Sequence, residues 1–157
     1  MWYRTGWSVL MDEDVRRAMH DVIDDHGLLS WLGVGVEVVE EGWVVLSLPY
    51  QEKLTNAIEG SYGSIHGGVT ATLVDTASGF ALRTTFADPL EPALTTTDLD
   101  VSYLRPAQSD LRVEASVIKA GASMGFTEVT IFGTDDEGVE KPVVTGRTTY
   151  RLFRTTA

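Results

Sequence analysis

The chain has 157 residues, 43% of them hydrophobic and 22% charged, and it holds no cysteine. That length and balance fit one compact domain and exclude a disordered chain, the missing thiols exclude disulfides, thiolate metal sites and a cysteine nucleophile, and no apolar run approaches the roughly 18 residues a membrane helix needs. A net charge of −11 would repel a phosphate backbone, so general nucleic-acid binding is excluded as well.

The opening stretch MWYRTGWSVLMDEDVRRAMH has no basic segment followed by an apolar one and a small-residue cleavage site, so no export signal is expected and the expected location is the cytoplasm. Asp12 can cap a first helix that runs through Asp14, Val15, Met19, Val22 and Ile23 and ends near Gly27. Residues 33–40 and 43–48 read as strands joined by a tight turn at Glu41-Gly42. Residues 49–65, with Pro49, Asn56, Gly60 and Gly63, read as a loop. A second helix is predicted over 67–85, where Val69, Leu73, Ala77 and Phe80 recur at helical spacing. After Pro89 and Pro92 come strands over 94–104, 111–119, 126–134 and 143–153. Leu99, Val101 and Tyr103 alternate with Asp98, Asp100 and Ser102, and Leu111, Val113, Ala115 and Val117 alternate in the same way, the pattern of strands with one buried face. Short turns between strands give an antiparallel sheet, and one long helix cannot cover both of its faces. The expected fold is therefore α+β: a curved sheet wrapped around the central helix, its outer surface partly covered by another subunit.

On the central helix Asp75 points nearly opposite the core stripe, among Ala71, Ser78, Gly79 and Leu82. Aspartate is a poor mid-helix residue, and a small apolar face suits close contact with another element more than solvent. A carboxylate partly desolvated there is a candidate base. The helix opens on His66-Gly67-Gly68. Two glycines at a helix start are expensive, and they make sense where a ligand approaches free N–H groups at the positive end of the dipole, as an oxyanion would. A tight loop-to-helix turn would ask for the same residues. His66 fits either a loop-bonded structural role or a catalytic one.

Together these residues resemble a hotdog-fold acyl-CoA thioesterase of the PaaI-like branch. The resemblance rests on Ser64-Ile65-His66-Gly67-Gly68-Val69-Thr70-Ala71-Thr72-Leu73-Val74-Asp75-Thr76-Ala77, an HGG followed by a short helical spacer and an acid in an L-x-D-x-A context. A second stretch, Thr95-Thr96-Thr97-Asp98-Leu99-Asp100-Val101-Ser102-Tyr103-Leu104-Arg105-Pro106-Ala107, is similar to the strand that follows the helix in these enzymes. The resemblance implies a single hotdog domain, with an N-terminal helix at about 12–27 and a core at about 31–153. It also implies a homodimer at least, with the homotetramer expected, and active sites between subunits. By position, Gly67 would present its N–H to the thioester carbonyl, with Gly68 beside it and His66 shaping the turn. Asp75 would be nucleophile or general base, and Thr96 would orient the attacking water. Asn56 would bond the carbonyl. The loop between Asn56 and His66, with Glu59-Gly60-Ser61-Tyr62-Gly63, is longer than the family's. Either Asn56 reaches the site through a bulge, or Ser61 or Ser64 takes part of its role. Arg105 is the candidate for a coenzyme A phosphate, its alternative a solvated turn arginine. The chemistry needs neither metal nor cofactor.

Other signals carry less. Gly121-Ala122-Ser123-Met124-Gly125 matches G-x-S-x-G, but a strand follows it and no histidine does, so a β-turn is expected. His20, Asp24, Asp25 and His26 fit no strong metal-ligand spacing, and Gly33-Val34-Gly35 lacks a third glycine. The rival functions are a hotdog enoyl-thioester hydratase, whose His-and-Asp signature is absent, and a non-catalytic acyl-CoA-binding module, against which Asp75 speaks. The acid excess beside only three lysines, Lys53, Lys119 and Lys141, fits either an ordinary acidic protein or one adapted to high salt. Melting temperature against molar KCl separates the two: a rise is the expectation for salt adaptation, and a flat or falling curve rejects it.

Overall fold

In the computed structural model, which describes residues 13–90 and 93–154, helix α1 (Glu13–Asp25) opens on Glu13 and Asp14, at the dipole end that favours acids. Met19 and Ile23 are its buried residues. The expected cap Asp12, and Pro92 further on, lie outside the described residues. The single helix expected to reach Gly27 is instead two. His26 is extended (φ −88°, ψ 114°), and its Nδ1 accepts from the Leu29 N–H at 3.3 Å, capping a short helix α2 (Gly27–Leu32). Gly33, at φ 82°, ends α2 in the left-handed conformation that glycine tolerates best. The second glycine of that stretch, Gly35, opens the sheet.

Six antiparallel strands follow: β1 (Gly35–Glu40), β2 (Trp43–Leu48), β3 (Ala93–Tyr103), β4 (Leu111–Ala120), β5 (Met124–Thr134) and β6 (Glu140–Phe153). Their order in the sheet is β1-β2-β4-β5-β6-β3. Alternation puts one side chain in two on the inner face, and cross-strand partners line up there, as in Leu46, Val113, Ile131 and Val144, all essentially buried. Helix α3 (Gly67–Arg83) lies against this face. Of the expected stripe, Leu73, Ala77 and Phe80 are buried and Val69 is half-buried. The curled sheet covers more of the helix than one stripe: Thr70, Val74, Ser78, Gly79, Ala81 and Leu82 are buried too.

Glycines in the sheet set how closely α3 approaches. A Cβ on Gly146 would stand 2.6 Å from Val74 Cγ1, and one on Gly125 would stand 2.5 Å from Leu82 Cδ2. Between them the Thr127 hydroxyl donates to Ser78 Oγ at 2.7 Å and meets Thr148 Oγ1 at 2.5 Å, so the hydroxyls enclosed under the helix satisfy one another. No buried side-chain polar atom lacks a partner among the described residues.

Strand β3 departs from the expectation of one buried face. It follows α3 in sequence but pairs with β6, which makes it an edge of the sheet. None of its residues is buried within one chain: Leu99 is 41% and Tyr103 58% exposed. Apolar alternation shows which face a strand turns inward, not whether anything covers it. No helix among the described residues is long and apolar enough to cross a membrane.

Gly146→Ala should cost about 1–3 kcal/mol, since the added methyl meets both Val74 and, at 3.0 Å, the Asp100 carbonyl oxygen. Urea unfolding checks it against Gly27→Ala, where a methyl meets nothing within 4 Å and stability should hold or rise slightly.

Candidate active site

The long connection from β2 to α3 folds back on itself. Thr55 bridges Ile65 and Asn56 bridges Tyr62, while the Asn56 N–H donates to the Ser64 carbonyl at 2.9 Å. Asn56 Nδ2 lies 3.2 Å from both the Ser64 carbonyl and its hydroxyl oxygen. The extra residues are thus drawn into a closed bulge, and Asn56, Ser61, Ser64 and Gly67 share the wall of one cavity of about 490 Å³. Arg105 is on the same wall, and no carboxylate is among the lining residues. Its Nη1 donates to the Pro142 carbonyl at 2.7 Å.

His66 caps α3: its Nδ1 accepts from the Gly68 N–H at 2.9 Å. An accepting Nδ1 leaves the ring proton of the neutral imidazole on Nε2. The two glycines also have reasons inside the chain, as the alternative of a tight loop-to-helix turn allows. A Cβ on Gly67 would stand 3.0 Å from the Tyr103 ring, whose hydroxyl donates to the Gly67 carbonyl at 2.9 Å. A Cβ on Gly68 would stand 3.0 Å from His66 Nδ1. The Gly67 N–H itself has no acceptor among the described residues, and it sits at the positive end of the longest helix.

A second cluster surrounds Asp75. Two hydroxyls donate to its Oδ1, Thr96 at 2.6 Å and Tyr150 at 2.7 Å. Oδ2 has no partner among the described residues, and the side chain is half-buried. Thr96 reaches the carboxylate because β3 is irregular there. The β3–β6 register shifts between Thr96 and Asp98, so Thr96 faces inward together with the odd-numbered Leu99 and Val101. The Thr96 hydroxyl, expected to orient water, is in this structure donated to Asp75. Tyr150 comes from β6, opposite Thr96 in register, and is 4% exposed. Burial of the phenol pushes its ionisation well above the usual tyrosine range; the Thr96 hydrogen bond opposes that rise in part, and the Asp75 hydrogen bond and charge add to it. Arg83, half-buried further along α3, is held below its ordinary pKa by that burial.

Sequence reasoning assigned Asn56 and Gly67 to the thioester carbonyl, Asp75 to nucleophile or base, and Thr96 to the attacking water; the structure puts Asn56 and Gly67 on one cavity wall and Thr96 against Asp75. It does not bring the pairs to each other within one chain: eight residues of helix separate Gly67 from Asp75, about 12 Å at 1.5 Å per residue. Tyr103 and Tyr150 were missed. Period two along β6 puts Tyr150 inward beside Thr148 and Leu152, and a mid-helix glycine, Gly79, marks where something bulky approaches. The remaining motifs are structural. Gly121 to Ser123 form the β4–β5 turn, with the Gly121 N–H bonded to the Met124 carbonyl at 2.8 Å. His20 pairs with Asp24 on α1, and no group of three metal-ligating side chains occurs among the described residues.

An antiparallel sheet curled around one helix is the hotdog architecture, and here the helix carries a held carboxylate and an amide-rich start. The thioesterase superfamily model matches residues 62–140. A relative from Halobacterium salinarum named as an esterase is 44% identical over 90% of this chain and 95% of its own. Human acyl-coenzyme A thioesterase 13 is 34% identical over 71% of this chain and 74% of its own. The E. coli PaaI protein of the phenylacetic acid degradation operon superposes with a TM-score of 0.72 at 21% identity, over 89% of this chain and 94% of that one, a likeness of fold. The chain belongs to the thioesterase superfamily, and its class of chemistry is thioester hydrolysis.

The raised Tyr150 ionisation has a sign. The folded phenol keeps its proton where the unfolded one loses it, so the stabilisation is intact below about pH 10 and is lost above it at about 1.4 kcal/mol per pH unit. Unfolding between about pH 9.5 and 11.5 should therefore lose stability less steeply in Tyr150→Phe than in the parent.

Proposed function

We propose that this protein hydrolyses an acyl-CoA thioester to a free acid and coenzyme A, in the cytoplasm, as an assembly of at least two copies and by expectation a homotetramer. The observation that carries the proposal is Asp75: a half-buried carboxylate with one oxygen held by two hydroxyls and the other unengaged, on the central helix of a thioesterase fold. The named activity of human acyl-coenzyme A thioesterase 13 supports the same substrate class.

The Gly67 N–H, at the helix start, binds the thioester carbonyl oxygen and stabilises the oxyanion that forms on it. Asn56, on the same cavity wall, adds a polar contact, with Gly68 and His66 fixing the turn. In one route Asp75 takes a proton from water, whose oxygen adds to the carbonyl carbon; the C–S bond then breaks, and the thiolate leaves and gains a proton. In the other, Asp75 attacks the carbon directly, expels the thiolate, and the acyl-aspartate is cleaved by water. Thr96 orders Asp75 and still offers lone pairs to that water. Arg105, on a wall free of carboxylates, is the proposed contact for a phosphate of coenzyme A.

The spacing along α3 is the reason for a second copy: one chain's Asp75 is about half the helix length away from its own Gly67. Edge strand β3, with Leu99 and Tyr103 open, is the proposed meeting surface. There the Asp75 of one subunit would meet the helix start of the other.

Turnover of an acyl-CoA panel followed with a free-thiol reagent tests the reading. The parent should release thiol, and Asp75→Asn should lose roughly 10²–10⁴-fold in kcat. An Asp75→Asn variant as fast as the parent rejects the assignment. Because the relative from Halobacterium salinarum is named as an esterase, oxygen esters belong in the same panel; if they alone are cleaved, the substrate class is wrong. Label found in Asp75 after a single turnover in ¹⁸O-water identifies it as the nucleophile, because the general-base route puts the label in the acid alone.

A further inference from the structure

We infer that Tyr150 is a positioning residue for the Asp75 carboxylate, that Gly79 exists to admit its hydroxyl, and that together with Thr96 they leave Oδ2 as the oxygen that reacts. The inference rests on the assignment of Asp75 proposed above, and it goes beyond that assignment by naming the residues that orient the carboxylate.

An aspartate carboxylate has two equivalent oxygens, and its terminal torsion is broad and nearly two-fold. Nothing in the side chain itself decides which oxygen meets a substrate. Here both donors act on one of them, Thr96 at 2.6 Å and Tyr150 at 2.7 Å from Oδ1. They come from neighbouring strands, β3 and β6, at paired positions in the register. Rotating the carboxylate would break both bonds, so its plane is set before substrate arrives.

The Tyr150 hydroxyl is also 2.7 Å from the Asp75 main-chain oxygen. Within α3 that carbonyl accepts the N–H of Gly79 four residues on, so it keeps a partner while the single phenolic proton goes to Oδ1. The missing side chain at residue 79 gives the hydroxyl room for this approach. A Cβ there would stand 3.2 Å from the Tyr150 hydroxyl oxygen, while its next neighbours, Leu94 Cδ1 and Tyr150 Cε1, are at an unstrained 3.7 Å. Glycine inside a helix is about 1 kcal/mol worse than alanine, and the hydroxyl is the one group near this site that a methyl would crowd. The phenol is buried and stays protonated across the neutral range, so the donor is always present.

A double-mutant cycle tests this, with kcat, KM and melting temperature measured for each variant. Tyr150→Phe should lower kcat by about ten- to a hundred-fold with KM within about two-fold, because a group lost from positioning acts on the reacting state more than on binding. Gly79→Ala should do the same in the Tyr150 parent. In the Tyr150→Phe background, where the crowded oxygen is gone, Gly79→Ala should lower kcat no further. A purely structural role would show in melting temperature and would not give this split or this non-additivity. The inference fails if Tyr150→Phe turns over at the parent rate, or if Gly79→Ala costs the same factor in both backgrounds. Should Tyr150→Phe not fold, Gly79→Ala decides alone, because it removes no side chain and introduces a good helix former. Asp75→Asn keeps the two readings apart. If that variant is active, the catalytic assignment itself is wrong; if it is inactive and Tyr150→Phe is not impaired, only the present inference is overturned.

Discussion

Helix α3 can settle onto its sheet only because Gly146 and Gly125 present no side chain beneath Val74 and Leu82. Interiors are packed close to crystal density, so a missing methyl on one surface fixes the distance of the other. Polar chemistry follows from that distance. With the helix this low, Ser78 meets Thr127 and Thr148, and Asp75 comes within reach of Thr96 and Tyr150. Had the sheet carried alanines, the helix would ride higher, and Thr127 would lose its bond to Ser78.

The order of elements was legible in the sequence because it is written locally. Period two along 111–119 and 143–153, and the 3.6-residue recurrence of Leu73, Ala77 and Phe80, depend on neighbours a few positions apart. The carboxylate was legible for the opposite reason: Asp75 breaks the local pattern of its helix, and the HGG spacing ties it to a family. What could not be read is non-local. That β3 returns to pair with β6, that its register slips near Thr97, and that Tyr150 thereby meets Asp75 depend on pairings across the whole chain. The two glycines of the HGG show the limit most clearly. Their residue type fitted either room for a ligand or a tight turn, and only the fold shows that Tyr103 and His66 stand against them. The first helix was misjudged because His26 is an unusual cap, and glycine at position 27 was taken for an end when it is a beginning.

Charge is distributed to the same purpose. On a chain of net charge −11, the cavity beside Gly67 is lined without a single carboxylate and includes one arginine. An anion is repelled by much of this surface and least repelled where helix dipole, free amide and Arg105 converge. The other end of the chemistry, the carboxylate, is kept away from that anion by half the length of α3.

The irregularity in β3 falls within a run of three identical residues, Thr95, Thr96 and Thr97. Moving a bulge by one position exchanges which side chain turns inward. Here such an exchange swaps one threonine for another. The strand is therefore degenerate in composition where its alignment is least certain, and a secondary alcohol remains opposite the acid whichever member of the triplet is looped out.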